Sequence, residues 1–463
     1  MKLFSIILIT LLPIFLVAQS LKPYEENRAY WQYQGEPVLL LGASNNDNLF
    51  QSDDFEEQLE KLKSIGGNYI RCTLSSRDEG DIQPHKRMPS GKYDLNFLSA
   101  EYKDRFERLL SKSSELDIII QIEIWDRFDY TRDSWEKSSF NPINNINYSH
   151  AENGLAEHYP DHPSRDKQPF FHTIKGMPLY HPNLESLLKF QKKFIDMILD
   201  ITLQYDNVLY CMNNETSTPK EWGRFWIAFI KKRAESANKQ IYLTDMFDEF
   251  FKPRYCEVCQ EAIIEKDIYT FLDVSQINSR NFGQAHWDTL QFIMSKVQNY
   301  KRPVNCTKIY GGGNTGWGSG SLDDGVERFF RNIFGGIAAA RFHRPPTGNG
   351  LNERSMAAIR SVRILENYAR FWDMETANEL LLDREADEAY CVKKKNNSII
   401  FIYFPYWGEI ILNLSEIPLP DEVEMNWLDV TYGKIYQSVR IKAEKSLTIK
   451  TPLKKGSVAI VTF

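Results

Sequence analysis

The segment Asn207-Val-Leu-Tyr-Cys-Met-Asn-Asn-Glu-Thr-Ser217 decides the fold of this chain. Its apolar run, Val208 to Met212, is typical of a strand buried on both faces, and it leads directly into Asn213, Asn214 and Glu215. In a parallel α/β barrel the last residues of each strand point into the mouth of the barrel, where ligands bind. The segment therefore predicts a barrel strand with a carboxylic acid at its functional end.

On both sides of this segment, short apolar runs alternate with longer amphipathic stretches, which is the pattern of repeated βα units. The predicted strands are 38–41, 68–74, 118–125, 208–212, 241–245, 269–276, 304–309 and 336–342. Eight strands with intervening helices predict an α/β fold, a closed (β/α)8 TIM barrel, over residues 20–372. A long polar insert, residues 126–182, follows the third strand, and we expect it to shape a substrate cleft.

The pattern changes after residue 372. Short strands separated by turn residues predict a small C-terminal antiparallel β-sandwich over residues 373–463. No low-complexity linker separates the two parts, so we expect them to dock against each other.

The N-terminus predicts export. Lys2 precedes the apolar run Leu3 to Ala18, and Gln19-Ser20 follow it, which is the pattern of a cleaved signal peptide over residues 1–19. The alternative is a membrane anchor, but the run is slightly short for a span. We expect a secreted or periplasmic protein with no integral membrane span after cleavage.

Composition and cysteine spacing argue against a nucleic-acid partner and against a bound metal. A formal net charge of -6 argues against a nucleic-acid partner, because such proteins usually carry a basic stripe. Cys256 and Cys259 have the spacing of metal ligands, but no second pair accompanies them, so a local disulfide or free thiols are favoured over zinc. We expect no metal and no cofactor.

Three motifs together resemble a known group of enzymes. Gly35-Glu-Pro-Val-Leu-Leu-Leu-Gly42, Asn214-Glu215 and Arg302-Pro-Val304 look like clan A (β/α)8 glycoside hydrolases. The layout is similar to apiosidase-like bacterial proteins, and the segments 399–404 and 427–433 resemble their collagen-binding-type terminal domain. The resemblance implies that Glu215 is the acid/base. It places the nucleophile at Lys308, a residue that cannot perform that role.

Glycosidic cleavage needs two carboxyl groups, one of them a protonated acid at the leaving oxygen. Glu215 suits the acid if its surroundings raise its pKa. Asp126 and Asp245, at the exits of the third and fifth strands, are candidates for the missing second carboxylate. Asp78 and Glu79, after the second strand, are further candidates.

A further set of residues is expected to bind substrate at the barrel mouth. Lys308 with Arg341 and His343 forms a candidate pocket for an anionic group such as a uronate. The complete set of candidate substrate-binding residues is Arg71, Trp125, Asn214, Gln276, Lys308, Arg341 and His343, with Asn278 and Trp317 completing the ring of sugar-facing side chains.

The leading hypothesis is a secreted glycoside hydrolase that cleaves O-glycosidic bonds in a complex polysaccharide or oligosaccharide, acidic ones included. Lys308 supports two alternatives. A lysine that neutralises Glu215 indicates a non-catalytic carbohydrate-binding barrel, and a lysine that acts as a base indicates a uronate-specific polysaccharide lyase. The sequence leaves open the sugar, the linkage, retaining or inverting stereochemistry, and exo or endo action.

Overall fold

The computed structural model describes residues 21–313 and 317–463, so the predicted signal peptide lies outside the described residues. Eight parallel strands alternate with eight longer helices. The strands are β1 (Leu40–Ala43), β2 (Tyr69–Thr73), β3 (Ile119–Asp126), β4 (Val208–Asn214), β5 (Leu243–Thr244), β6 (Leu272–Asp273), β7 (Val304–Ile309) and β8 (Ala339–Phe342). The helices are α1 (Phe55–Ser64), α2 (Ala100–Glu115), α3 (Glu185–Thr202), α4 (Lys220–Ser236), α5 (Glu257–Ile264), α6 (Gly283–Val297), α7 (Leu322–Phe334) and α8 (Glu353–Glu366).

These strands form a barrel. Neighbouring strands pair in the order β5-β4-β3-β2-β1-β8-β7-β6. The ring closes between β5 and β6, where the amide of Thr270 donates a hydrogen bond to the carbonyl of Leu243 at 2.9 Å. Both strands are shorter than the sequence predicts. The amide of Leu243 bonds the Thr270 hydroxyl at 2.7 Å, and a 3-10 turn over Ser275–Asn278 replaces the predicted end of β6. The predicted TIM barrel is confirmed.

Strand β4 continues two residues beyond its apolar run. Its Asn213 and Asn214 pair in parallel register with Trp125 and Asp126 of β3. This extension places Asn214 beside Asp126 at the rim of the barrel and leaves Glu215 as the first residue beyond the strand.

The C-terminal part consists of antiparallel strands in two sheets. These are β9 (Met374–Thr376), β10 (Leu381–Leu382), β11 (Tyr390–Lys394), β12 (Ile399–Tyr406), β13 (Glu409–Asn413), β14 (Glu422–Asp429), β15 (Lys434–Lys442), β16 (Ser446–Lys450) and β17 (Lys455–Thr462). Six strands form one sheet in the order β9-β11-β12-β17-β14-β15, and β10-β13-β16 form the other. The predicted antiparallel C-terminal β-structure is confirmed.

The six-stranded sheet is covered on both faces, which explains why β12 is apolar along its length. Side chains alternate across a strand. Phe401 and Tyr403 belong to the core shared with the barrel, whereas Ile400 and Ile402 belong to the core between the two C-terminal sheets.

Helix α7 makes part of the contact between the barrel and the C-terminal part. The ring of Phe330 stacks on Tyr403 at a centroid distance of 4.7 Å, and Arg331 pairs with Asp387 at 2.9 Å. The two parts are therefore docked through a buried interface.

A disulfide joins Cys256 and Cys259, and Cys72, Cys211, Cys306 and Cys391 are buried thiols. Over residues 21–313 and 317–463, no helix has the length and apolar character to span a bilayer. Within the same ranges, no group of three or more His, Cys, Asp or Glu side chains is arranged to hold a metal ion.

Candidate active site

A cavity of about 560 Å³ opens at the carboxyl ends of the barrel strands. Its volume is in the range of ligand-binding pockets. The charged residues of its wall are Arg77, Arg127, Arg280, Lys308 and Arg344, together with Asp47, Glu215 and Asp248. The insert after β3 contributes Phe128, His162 and Ser164, in agreement with the expectation that it shapes the cleft.

Glu215 projects into this cavity from a strained backbone. Its φ of 63° lies in the left-handed region, which a residue with a long side chain rarely adopts. Its side chain is 20% exposed. Conformations of this kind are found where a binding or catalytic side chain has to be held in a fixed direction.

Three side chains donate hydrogen bonds to the Glu215 carboxylate. Lys308 Nζ and the Tyr310 hydroxyl reach Oε1 at 2.8 Å and 3.1 Å. An Arg127 guanidinium nitrogen reaches Oε2 at 3.1 Å. Both carboxylate oxygens are therefore engaged, and two of the three donors are cations.

These neighbours determine the protonation state of Glu215. Burial alone would raise its pKa, but the charge of Lys308, the charge of Arg127 and the hydrogen bonds from Lys308 and Tyr310 outweigh burial, so the pKa is lowered. The lowered pKa means that the carboxyl group is ionised at neutral pH. The expected acid role needs a raised pKa, and the structure differs from the expectation on this point.

Lys308 lies near the end of β7, where the resemblance places a nucleophile, and its side chain is 1% exposed. Besides Glu215, its ammonium group contacts the side-chain oxygen of Asn214. The amide nitrogen of Asn214 donates to Asp126 Oδ2 at 2.8 Å. The amide of Asn214 is thus engaged at both ends in holding the site together.

Asp126 and Asp245 do not line the cavity. The Asp126 side chain is buried and is held by Asn214 and Arg77. Asp245 is 2% exposed and accepts hydrogen bonds from Asn213 at 3.0 Å and from Thr216 at 2.6 Å. Burial raises the pKa of Asp245 to about 6. The structure corrects the expectation that either residue is the second catalytic carboxylate, because neither can reach a ligand.

Three candidate substrate-binding side chains are also buried away from the cavity. Arg71 pairs with Asp47 and Glu123 inside the barrel. Trp125 packs against Trp226 of α4 at a ring-centroid distance of 5.3 Å. Arg341 donates to the carbonyl of Thr307 at 2.9 Å. All three are fully buried, so they support the barrel and do not contact a ligand.

Gln276, His343 and Trp317 line the cavity, whereas Asn278 is buried and bonds His286. Burial lowers the pKa of His343 well below its usual value, in spite of the nearby Asp47, so its imidazole is neutral. The expected anion pocket of Lys308, Arg341 and His343 is therefore not formed.

Arg127, Tyr310 and Asp248 belong to the site but are not among the residues predicted from the sequence. Each follows a strand closely: Arg127 comes directly after β3, Tyr310 directly after β7, and Asp248 four residues after β5. Position directly after a strand is the signal that could have found Arg127 and Tyr310, since the carboxyl ends of barrel strands converge on one site.

No family model matches this chain, and no curated protein matches its sequence. Solved structures do share its fold. A glycoside hydrolase family 5 protein from Bacteroides vulgatus has 13% identity and a TM-score of 0.64, over 96% of this chain and 93% of that one. A second structure, described as a glycoside hydrolase, has 13% identity and a TM-score of 0.63, over 96% of both chains. An endo-1,4-beta-mannanase from Rhizomucor miehei has 12% identity and a TM-score of 0.50, over 74% of this chain and 97% of its own.

At these identities the similarity shows the fold. The barrel and the C-terminal β-domain together match the first two structures over almost their full length, so this chain has the architecture of those glycoside hydrolases. The narrower resemblance, to apiosidase-like proteins with a collagen-binding-type domain, stays a prediction.

Proposed function

We propose that this protein is a glycoside hydrolase that cleaves O-glycosidic bonds in a polysaccharide or oligosaccharide, with Glu215 at the reaction centre. The observation that carries the proposal is the ionised Glu215 carboxylate, which is directed by a left-handed backbone into a cavity at the mouth of a (β/α)8 barrel. A carboxylate in this position can stabilise the positive charge that develops at the anomeric carbon.

An acidic sugar is the substrate class that the cavity favours. Its wall carries five cationic side chains against three acidic ones. Arg280 is exposed, lies over the Phe251 ring at 4.7 Å, and pairs with no carboxylate of residues 21–313 and 317–463. A guanidinium group with free donors suits a uronate carboxylate.

The test is the release of sugar by Glu215→Gln. The variant keeps the size of the side chain and removes its charge, so we expect no detectable product from neutral and uronate-containing oligosaccharides that the wild type cleaves. Glu221→Gln on the exposed first turn of α4 is the matched control and should retain wild-type turnover. Circular dichroism checks the fold of both variants, and unchanged turnover by Glu215→Gln would remove the proposal.

The ion pair between Lys308 and Glu215 favours a second candidate, a non-catalytic carbohydrate-binding barrel. Because both oxygens of Glu215 already accept hydrogen bonds, a ligand must share the carboxylate with Lys308, Tyr310 and Arg127. This candidate predicts that calorimetry detects glycan binding while no substrate in the panel yields product.

The lyase alternative has less support. Lys308 donates to Glu215 and contacts Asn214, so its ammonium group would have to leave both acceptors before the nitrogen could accept a substrate proton. Unsaturated products that absorb in the ultraviolet would favour a lyase over a hydrolase.

A further inference from the structure

A second carboxylate shares the cavity with Glu215. Asp248 begins a short 3-10 turn after β5, and its amide donates to the carbonyl of Thr216 at 3.1 Å. Since Thr216 follows Glu215 directly, this bond ties the two acidic segments together. The side chain of Asp248 is 24% exposed and lines the cavity.

Arg127 bridges the two carboxylates. One of its terminal nitrogens contacts Asp248 Oδ2 at 2.6 Å, and the other contacts Glu215 Oε2 at 3.1 Å. With the width of a guanidinium group, these contacts place the two bonded oxygens at most about 8 Å apart, and paired glycosidase carboxyl groups lie about 5 to 9.5 Å apart.

The two carboxyl groups differ in their hydrogen bonds. Glu215 accepts three hydrogen bonds over both oxygens, whereas Asp248 accepts one, from Arg127, through Oδ2. Within residues 21–313 and 317–463 no donor reaches Asp248 Oδ1. That oxygen is free to carry a proton and to present it to a ligand.

Their electrostatic surroundings differ in the same direction. The pKa of Asp248 is raised to about 6, because burial and the negative charge of Glu215 outweigh the opposing effects of Arg127 and Lys308. The neighbours of Glu215 lower its pKa. Two carboxyl groups with pKa values moved apart have the arrangement of an acid and its ionised partner.

We infer that Asp248 is the catalytic proton donor of the proposed hydrolase and that Glu215 is its nucleophile, an assignment that rests on the proposed function. Asp248 transfers its proton to the glycosidic oxygen as the bond from that oxygen to the anomeric carbon breaks, and the bonding electron pair leaves with the oxygen. The Glu215 carboxylate forms a bond to the anomeric carbon. Water then attacks the anomeric carbon and displaces the Glu215 carboxylate, and the water gives one proton to Asp248.

Attack at carbon suits Glu215 better than the removal of a proton from water. A carboxylate that is stabilised by two cations is a weak proton acceptor, but it keeps lone pairs for an electron-poor carbon. We therefore expect retention of the anomeric configuration, which requires carboxyl groups that lie about 5 to 5.5 Å apart.

Leaving-group dependence tests the proton donor. We expect Asp248→Asn to lower kcat/KM by about 10²- to 10⁴-fold for an alkyl glycoside, the usual contribution of general acid catalysis. A dinitrophenyl glycoside of the same sugar needs no protonation of its leaving group, so for this substrate Asp248→Asn should lower kcat/KM by no more than about tenfold. Glu249→Gln, an exposed carboxylate next to Asp248, is the matched control and should leave both rates unchanged.

Azide separates the two roles. With azide, Asp248→Ala should yield a glycosyl azide of the same anomeric configuration as the substrate, and Glu215→Ala should yield the opposite one. Exchanged configurations, or an equal loss by Asp248→Asn on both glycosides, would overturn the assignment while leaving the hydrolase proposal in place. A wild-type protein that cleaves none of these glycosides overturns both.

Discussion

The ion pair of Lys308 and Glu215 allows a quantitative prediction by a double-mutant cycle. The perturbations are Glu215→Gln, Lys308→Met and the two together. The Nζ–Oε1 distance is 2.8 Å, and the side chains are 1% exposed for Lys308 and 20% exposed for Glu215. The two ends of the pair therefore differ in access to water, and this difference sets the expected energies.

Glu215→Gln leaves a buried ammonium group without a counter-charge. Breaking a fully buried pair costs about 3–5 kcal/mol, and the partial exposure of Glu215 lowers the expected loss in the free energy of unfolding to about 2–4 kcal/mol. Lys308→Met should cost about 1–2 kcal/mol, because Glu215 retains Arg127, Tyr310 and access to water. The double variant buries neither charge and should lie within about 1 kcal/mol of the wild type.

The two single losses and the near-zero change of the double variant together give an expected coupling energy of about 3–6 kcal/mol, measured by urea unfolding near neutral pH. Lys103 and Glu107 on α2 provide the control, with the same 2.8 Å separation but side chains that are 50% and 38% exposed. Their cycle should give less than about 0.5 kcal/mol. Equal coupling in the two cycles would refute the argument that burial makes the Lys308 pair strong.

The pH dependence supplies an independent check. The pKa of Glu215 is lower in the folded protein than its ordinary value near 4.3, so the stability it contributes is fully present above that value and is lost as pH falls below it. In an Asp248→Asn background, which removes the second carboxyl group coupled to Glu215, the stability difference between Glu215 and Glu215→Gln should be constant above about pH 5.5 and shrink below about pH 4. A difference that grows on acidification would contradict the lowered pKa.

Two further predictions concern the cavity and its support. In steady-state assays, Arg280→Gln should raise KM about tenfold for a uronate-containing substrate, equivalent to about 1.4 kcal/mol. The KM for the neutral counterpart of that substrate should not change. Equal effects on both substrates would argue against a uronate contact. Gly223→Ala lies in α4, where alanine usually stabilises by about 0.5–1 kcal/mol. Here an added Cβ would come within 2.2 Å of Asp245, so we expect destabilisation by about 1–3 kcal/mol in thermal unfolding, and a stabilised variant would show that Asp245 can move.

The barrel could be predicted because short apolar runs alternate along the chain with amphipathic helices. The strand Val304–Ile309 has the predicted bounds, and the run from Val208 marks the start of β4. The contact of Lys308 with Glu215 follows from the same logic, since strand ends meet at one mouth. Asp248 could not be found in this way, because it follows a two-residue strand and a turn whose direction is set by tertiary contacts.

Side-chain direction at the exit of β3 explains why Trp125 does not face the cavity as predicted. Glu123 points into the barrel and bonds Arg71. Strict alternation sends Trp125 the same way, yet its ring packs against α4, while Asp126 reaches Asn214 at the rim. The alternation of side chains therefore breaks near the end of β3. The end of β4 shows the same change, since the side chain of Asn213 bonds Trp222 of α4. Such a break depends on the packing of neighbouring helices and leaves no periodic signal in the sequence.

The position of Lys308 explains why Glu215 is ionised. A cation at the end of β7 lowers the pKa of the carboxyl group opposite, and a carboxyl group with a lowered pKa cannot store the proton that a leaving oxygen needs. The proton must then come from another acid in the same cavity, and Asp248 is joined to Glu215 through Arg127. In the proposed assignment, a lysine in place of the expected nucleophile thus moves the nucleophile to the exit of β4 and the acid to the exit of β5, so that the cavity keeps the two carboxyl groups that glycosidic cleavage requires.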